Sequence, residues 1–479
     1  MLYDDVLTSA IDRALKAGAR YAEARSERNV TEAVRVRNTA IDRVSVDQDS
    51  GWGIHAEFEG AWGFASSSSS TPETIAETAS KAVETARASA LRRKGYGEAG
   101  DLPTATGKYA THFKQNPFDV PLEQRVDLAR DASARMLAAA PSVKVSNASL
   151  AFEQHDKLYR NSRGARLEQA ITFALFDISA VAVDDTGYSY RRSYNDISQA
   201  GWEFIEAQNL PSEADRVGRE AAELVSAPWA PSGPQQVILA SDFVALLVHE
   251  SCGHPTELDR VLGWEAAFAG RSFLTPDMLG SFRFGSPLVN MTADSLLPGG
   301  LGTFGWDEEG TPAQRTPIVR DGIFTGYLTS RGSAPAIGQK SNGCGRATSW
   351  GRIPIVRMVN LSLEPGSDSL ESMIAGVDDG LYLETPSSWS LDDKRLNFHF
   401  SAELCREIKG GRLGALRKGA AFQGRTPQFW GSVRAVAGPD EWRLWGFPHC
   451  AKGEPLQLCP VSHGASPILV DGLNMSYKN

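Results

Sequence analysis

The chain has 479 residues, with 45 glycines, 25 prolines, 42% hydrophobic and 22% charged side chains, a composition that excludes disordered and fibrous proteins. Against 58 acidic residues stand 49 Lys and Arg, a net charge of −9, the wrong sign for a protein whose affinity comes from neutralising phosphates, so nucleic acid is not an expected partner. Five scattered cysteines are too few and too dispersed for a disulfide scaffold, and no apolar run approaches the ~18 residues needed to cross a bilayer, so a cytoplasmic chain with reduced thiols and no membrane contact is expected.

In chain order, Val6, Ile11 and Leu15 predict a first helix. Alternation at Ala33–Arg37 and Val44–Val46 predicts half-buried strands, and Glu59-Gly60 reads as the turn of a hairpin between 53–58 and 61–65. The serine run 66–70 leads into Thr71-Pro72-Glu73, where a hydroxyl cap and a first-turn proline start a helix toward Arg93. The basic tetrad Arg92–Gly95 reads as a solvated helix end rather than a phosphate site. Helices follow at 123–140 and 212–225, with strands at 143–153 and 170–184.

Three prolines and a glycine within Ala227–Pro234 mark a boundary. The expectation is an α+β chain of two domains: residues 1–230, a mixed sheet with helices, and 235–479, rich in strands. The second begins with a short strand, Val237–Ala240, and a helix capped by Ser241. Further on, Pro317–Arg320 and Ile323–Leu328 flank an Asp321-Gly322 turn, and a helix is expected over 368–377.

The helix after Ser241 runs into His249-Glu250-Ser251-Cys252-Gly253-His254, which places two of eight histidines around a glutamate. Two neutral imidazoles suit Zn(II), and a carboxylate beside the first of them suits a general base. On an α-helix, residues four apart lie ~40° off register, whereas residues five apart diverge by ~140°. An undistorted helix therefore fails to bring these histidines together. Either a π-turn, eased by the backbone freedom of Gly253, or a helix end at Pro255 restores their facing. A zinc site needs a third ligand. Cys252 lies on another helical face, Cys344 in a flexible loop that suits a substrate edge and Cys450 in a turn, and spacing alone leaves the choice open.

Together with Asp307–Pro312, Val319–Tyr327, Asn342-Gly343, Gly345-Arg346 and the terminal His449–Gly453 and Gly464–Pro467 segments, this motif resembles the TldD/PmbA family of cytoplasmic peptidases. The metal-bearing type of that family carries an HExxxH helix and a C-terminal cysteine as third zinc ligand. The resemblance implies a Zn2+ site of His249, His254 and Cys450, with Glu250 as the catalytic base and hydrolysis of small or unfolded peptides. It also implies a homodimer, or a heterodimer with a PmbA/TldE-type subunit. Two departures are local: Pro255 follows the second histidine, and Leu458-Cys459-Pro460 places a second thiol near the third-ligand position. For substrate binding, the expected contacts are Asn342, Gly343, Arg346 and Arg357, where close backbone approach, cations and the β-branched run Ile355-Val356 suggest an edge for an extended peptide. A peptide-binding or maturation partner with little proteolysis is the alternative. A serine hydrolase is disfavoured because no G-x-S-x-G elbow is present.

Overall fold

A computed structural model describes residues 3–92 and 102–477; Arg93, Lys94 and Gly95 of the basic tetrad lie outside the described residues. The first half is built on one long sheet. Helix α1 (Asp4–Lys16) precedes β1 (Tyr21–Arg37), β2 (Ala40–Phe58) and β3 (Ala61–Ser67), and α2 (Pro72–Ala90) follows. Next come β4 (Thr106–Ala110), α3 (Leu122–Ala138), β5 (Val143–Asn161), β6 (Arg166–Val183), β7 (Ser189–Ser198), α4 (Trp202–Ala207) and α5 (Leu210–Ser226). The sheet order is β3-β2-β1-β5-β6-β4, with β7 also on β6.

Several local expectations hold for the reasons given. Glu59 (φ 49°) and Gly60 (φ 76°) make the tight turn between β2 and β3. The Thr71 hydroxyl accepts from Thr74 N–H at 3.3 Å to cap α2. The strands, however, run far beyond the alternating stretches that announced them. Val44 and Val46 are not half-buried; they are 44% and 69% exposed, on the part of β2 beyond its pairing with β3. Helices α1 and α2 bury Leu7, Ile11, Ile75 and Ala79 against the first strands, while α3 and α5 cover β5 and β6 with Val126, Met136, Ala214 and Val217.

The second half opens with β8 (Gly233–Leu239) and α6 (Ser241–Val248). Strand Asp379–Leu391 pairs in parallel with β8; Ile468–Tyr477, Ala420–Arg425 and Asn397–Lys409 continue the sheet; and Asn397–Lys409 returns to Asp379–Leu391. Five strands thus pair in a closed ring, which leaves no free edge among them. Helix α6 is apolar all round, as a fully buried helix must be: Phe243 to Val248 lie in a core that also takes in Ile171, Phe173 and Ile197 from the first half. Ser241 does not cap it. Its hydroxyl instead accepts from Trp445 Nε1 at 3.1 Å, tying the helix start to the terminal hairpin Arg443–Lys452/Gln457–Ala465. The Asp321-Gly322 turn forms, but its second strand ends at Phe324, and the expected helix over 368–377 is Leu370–Ala375, closed by a Ser369–Ser372 capping box.

Candidate metal centre

At His249 the α-helix gives way to a π-turn over His249–Gly253, followed by a 3₁₀ turn, His254–Thr256, that contains Pro255. Both devices that the spacing called for are therefore used in succession: the wide turn takes up the extra residue, and the proline ends the helix. The two imidazole rings come to 5.0 Å between centroids. Gly253 has an ordinary helical φ of −58°, so it is not present for backbone freedom. A Cβ there would lie 2.0 Å from Met358 Sδ, and close packing is what requires the glycine.

The third group comes from the terminal hairpin, 196 residues away. Cys450 Sγ lies 3.8 Å from His254 Nε2, and one ligand atom each from His249, His254 and Cys450 fall within 4.8 Å of one another. All three residues are buried. Tetrahedral zinc with bonds of 2.0–2.3 Å separates its ligand atoms by roughly 3.5 Å, so this donor set fits a small divalent cation. Burial alone would push the Cys450 thiol up, but His249, the Arg357 guanidinium and His254 together hold it well below the usual thiol range. Burial would lower His249, yet the neighbouring sulfur raises it. Burial takes His254 well down. A thiolate at Cys450 and a neutral His254 are ligand forms a metal requires, whereas His249, held toward its protonated form by the sulfur, must give up a proton on binding one.

Around the ligands stand residues that sequence reasoning undervalued. Glu257 is fully buried and lies 2.9 Å from His254 Nδ1. Lys452, also buried, balances the local acids: its ammonium is 2.5 Å from Asp259 and 3.7 Å from Glu257. His249 Nδ1 lies 2.7 Å from His463 Nε2. The Glu250 carboxylate accepts from Trp389 Nε1 at 2.9 Å and from Arg395 Nη1 at 2.5 Å, both from the long hairpin Asp379–Leu391/Asn397–Lys409 or its turn. The three-residue step from His254 to Glu257 was a readable signal; nothing in sequence pointed to His463, Trp389 or Arg395.

The other expected site residues have architectural jobs. Cys252 is fully buried in the core, and Cys344, expected at a substrate edge, is buried with its thiol pushed up to about 12. Cys459 is the cross-strand partner of Cys450 but is not among the clustered ligands. Asn342 accepts from the Thr329 amide and hydroxyl and donates to the Tyr327 carbonyl, holding a loop closed. Gly343 (φ 78°) makes the turn. Arg346 is buried and donates to the Met358 and Pro460 carbonyls. Arg357, fully buried, donates to the Gln457 and Cys450 carbonyls at 2.8 and 2.5 Å. Only a two-residue ladder, Gly345-Arg346 with Ile355-Val356, stands where a substrate edge was expected. These arginines brace the terminal hairpin through its carbonyls.

An α+β fold that buries two imidazoles and a cysteine sulfur in one cluster, with a glutamate next to the first histidine on the same turn, has the equipment of a metal-dependent hydrolase. The chain belongs to the PmbA/TldD family: the PmbA/TldA metallopeptidase domain 1 matches residues 22–90, the central domain 115–227 and the C-terminal domain 232–477. A metalloprotease of Methanothermobacter thermautotrophicus is 26% identical over 94% of this chain and 94% of its own length. A zinc metalloprotease TldD homolog of Saccharolobus solfataricus is 23% identical over 97% and 98%. In fold, the chain is similar to TldE from Thermococcus kodakarensis, with a TM-score of 0.76 at 15% identity, covering 98% of this chain and all of the other. Among the described residues, no helix is long and apolar enough to cross a membrane.

Proposed function

We propose that the chain is a zinc-dependent peptidase in which His249, His254 and Cys450 hold the metal and Glu250 is the general base. The observation that carries this reading is the convergence of three buried ligand atoms from segments about 200 residues apart, with Glu250 following His249 directly on the π-turn. Zinc bound there would act as a Lewis acid and acidify water. The chain's own part is to exclude bulk solvent, present two imidazoles and a thiolate, and offer Glu250 to receive and pass on a proton. Trp389 and Arg395 fix the rotamer of that carboxylate while leaving it lone pairs to use, since an ionised carboxylate can accept about four hydrogen bonds.

Burial of the centre favours extended, unfolded peptides over folded proteins as substrates. The names of the relatives support a metalloprotease, the family resemblance implies a homodimer or a pairing with a TldE-type subunit, and the low thiol count supports a cytoplasmic setting. A second reading, a peptide-binding or maturation partner with little proteolysis, draws on one feature: Arg395 neutralises the base at contact distance.

Metal analysis of the purified chain, with digestion of a mixed unfolded-peptide library, tests both readings. The peptidase reading expects about one zinc per chain. It also expects cleavage that falls by ~10²-fold or more in Glu250→Gln with zinc retained. Full zinc with no cleavage in either form favours the binding partner.

A further inference from the structure

His463 lies deep in the terminal hairpin with no exposed surface, and each of its ring nitrogens has one polar neighbour. Nδ1 is 2.7 Å from the carbonyl oxygen of Leu361, and Nε2 is 2.7 Å from Nδ1 of His249. A carbonyl can only accept, so Nδ1 of His463 carries a hydrogen. In a neutral ring the other nitrogen then bears a lone pair, and His249 must donate to it from Nδ1. The one hydrogen of a neutral His249 is thereby spent on His463, and its Nε2 is left bare. Donation thus runs from a candidate metal ligand through His463 to a strand carbonyl.

We propose that His463 is a positioning residue of the metal centre, fixing His249 in the Nδ1–H tautomer so that its Nε2 lone pair is available to the metal. The proposal rests on the reading of His249, His254 and Cys450 as metal ligands. Rigidity comes from both ends. Leu361 belongs to strand Leu361–Leu363, paired with Met291–Asp294, and the Phe447 ring packs 5.6 Å from His249 and 5.2 Å from His463. The His249 and His463 rings meet nearly at right angles, 88°, with centroids 4.8 Å apart.

His254 receives the same service from the Glu257 carboxylate. The two ligands are thus oriented by partners of different charge. A neutral acceptor behind His249 adds no negative charge to a centre that already contains a thiolate, so one divalent cation with Cys450 keeps a net positive charge for polarising a carbonyl. An apolar side chain in place of His463 would leave the Leu361 oxygen and the His249 N–H buried and unpaired.

The test uses the full chain and zinc alone, with affinity read by competition against a chromophoric chelator. His463→Ala is expected to weaken zinc by ~10- to 100-fold. His463→Gln, whose amide offers an acceptor toward His249 and a donor toward Leu361, is expected to stay within a few-fold of wild type. In wild type with ¹⁵N-labelled histidine and ¹¹³Cd in place of zinc, the metal coupling of His249 is expected on Nε2, with a proton on Nδ1. The proposal is overturned if His463→Ala binds zinc as tightly as wild type, if His463→Gln loses as much as His463→Ala, or if the coupling falls on Nδ1 of His249. Failure of the underlying reading looks different: wild type binds no zinc, or His249→Ala binds it undiminished.

Discussion

Cys450 and Cys459 face one another across the terminal hairpin, and only Cys450 reaches the imidazoles. Cys450→Ser is therefore expected to lose most bound zinc, while Cys459→Ser keeps about one equivalent; elemental analysis after dialysis checks it, and the opposite pattern would move the third ligand to Cys459. A second residue-scale expectation concerns pH. Burial pushes the Asp196 carboxyl up to about 6, against amide donation from Gly446 and the nearby Arg443, both on the hairpin that carries Cys450. Because its folded value lies above its unfolded one, the folded state holds a proton that the unfolded chain has released, so this group's contribution falls as pH rises from about 4 to 6. Asp196→Asn mimics the protonated form and should lack that component. Thermal unfolding of the two proteins at pH 4.5 and 7.5 (~2 kcal/mol at most between them) reads the difference directly; parallel pH profiles would remove Asp196 as its source.

At the scale of elements, the π-turn decides the site. Its wide turn brings His249 and His254 together, and Met358, fully buried, packs against Gly253. With φ at −58°, an alanine would suit the backbone and, on that ground alone, stabilise by about 0.4–1 kcal/mol. The Met358 contact reverses the sign: Gly253→Ala is expected to destabilise by about 1–3 kcal/mol through overpacking, and to weaken zinc as the turn shifts. Denaturant unfolding of the apo chain measures the first and chelator competition the second. A more stable variant would mean the methionine yields without cost.

For the whole molecule, the two halves are joined by buried charge as well as by a shared core. Arg331, from the second half, donates to both oxygens of Glu23 on β1 at 2.6 and 2.7 Å, and Tyr21 and Tyr159 complete the Glu23 shell. Burial would raise Glu23, but Arg331 and His55 bring it down to about 2. On β7, Arg192 pairs with Glu384 of the long hairpin, and Asp196 with Arg443 of the terminal one. Removing Arg331 leaves a buried carboxylate without its counter-charge, so Arg331→Ala is expected to cost about 3–5 kcal/mol, more than Glu23→Gln with Arg331→Met together. Calorimetry checks the order; an equal or smaller cost for the single variant would mean that Glu23 takes up water or a proton freely.

What the chain alone determined is what short-range physics controls. The α+β class, the helix starts at Thr71-Pro72 and the turns at Glu59-Gly60 and Asp321-Gly322 follow from local dihedral and capping preferences. So does the need for a distortion between His249 and His254, since helical geometry forbids a straight helix from using that spacing. The tertiary structure decided the rest. Which thiol meets the imidazoles depends on how a hairpin 196 residues away is anchored by Arg357 and Asp196. That Arg346 and Arg357 brace backbone carbonyls, and that Trp389, Arg395, Glu257 and His463 surround the centre, depend on burial and on strand register. Neither is encoded in any window of neighbouring residues, because a side chain's partner in a folded protein is set by the closure of the sheets and not by its distance along the chain.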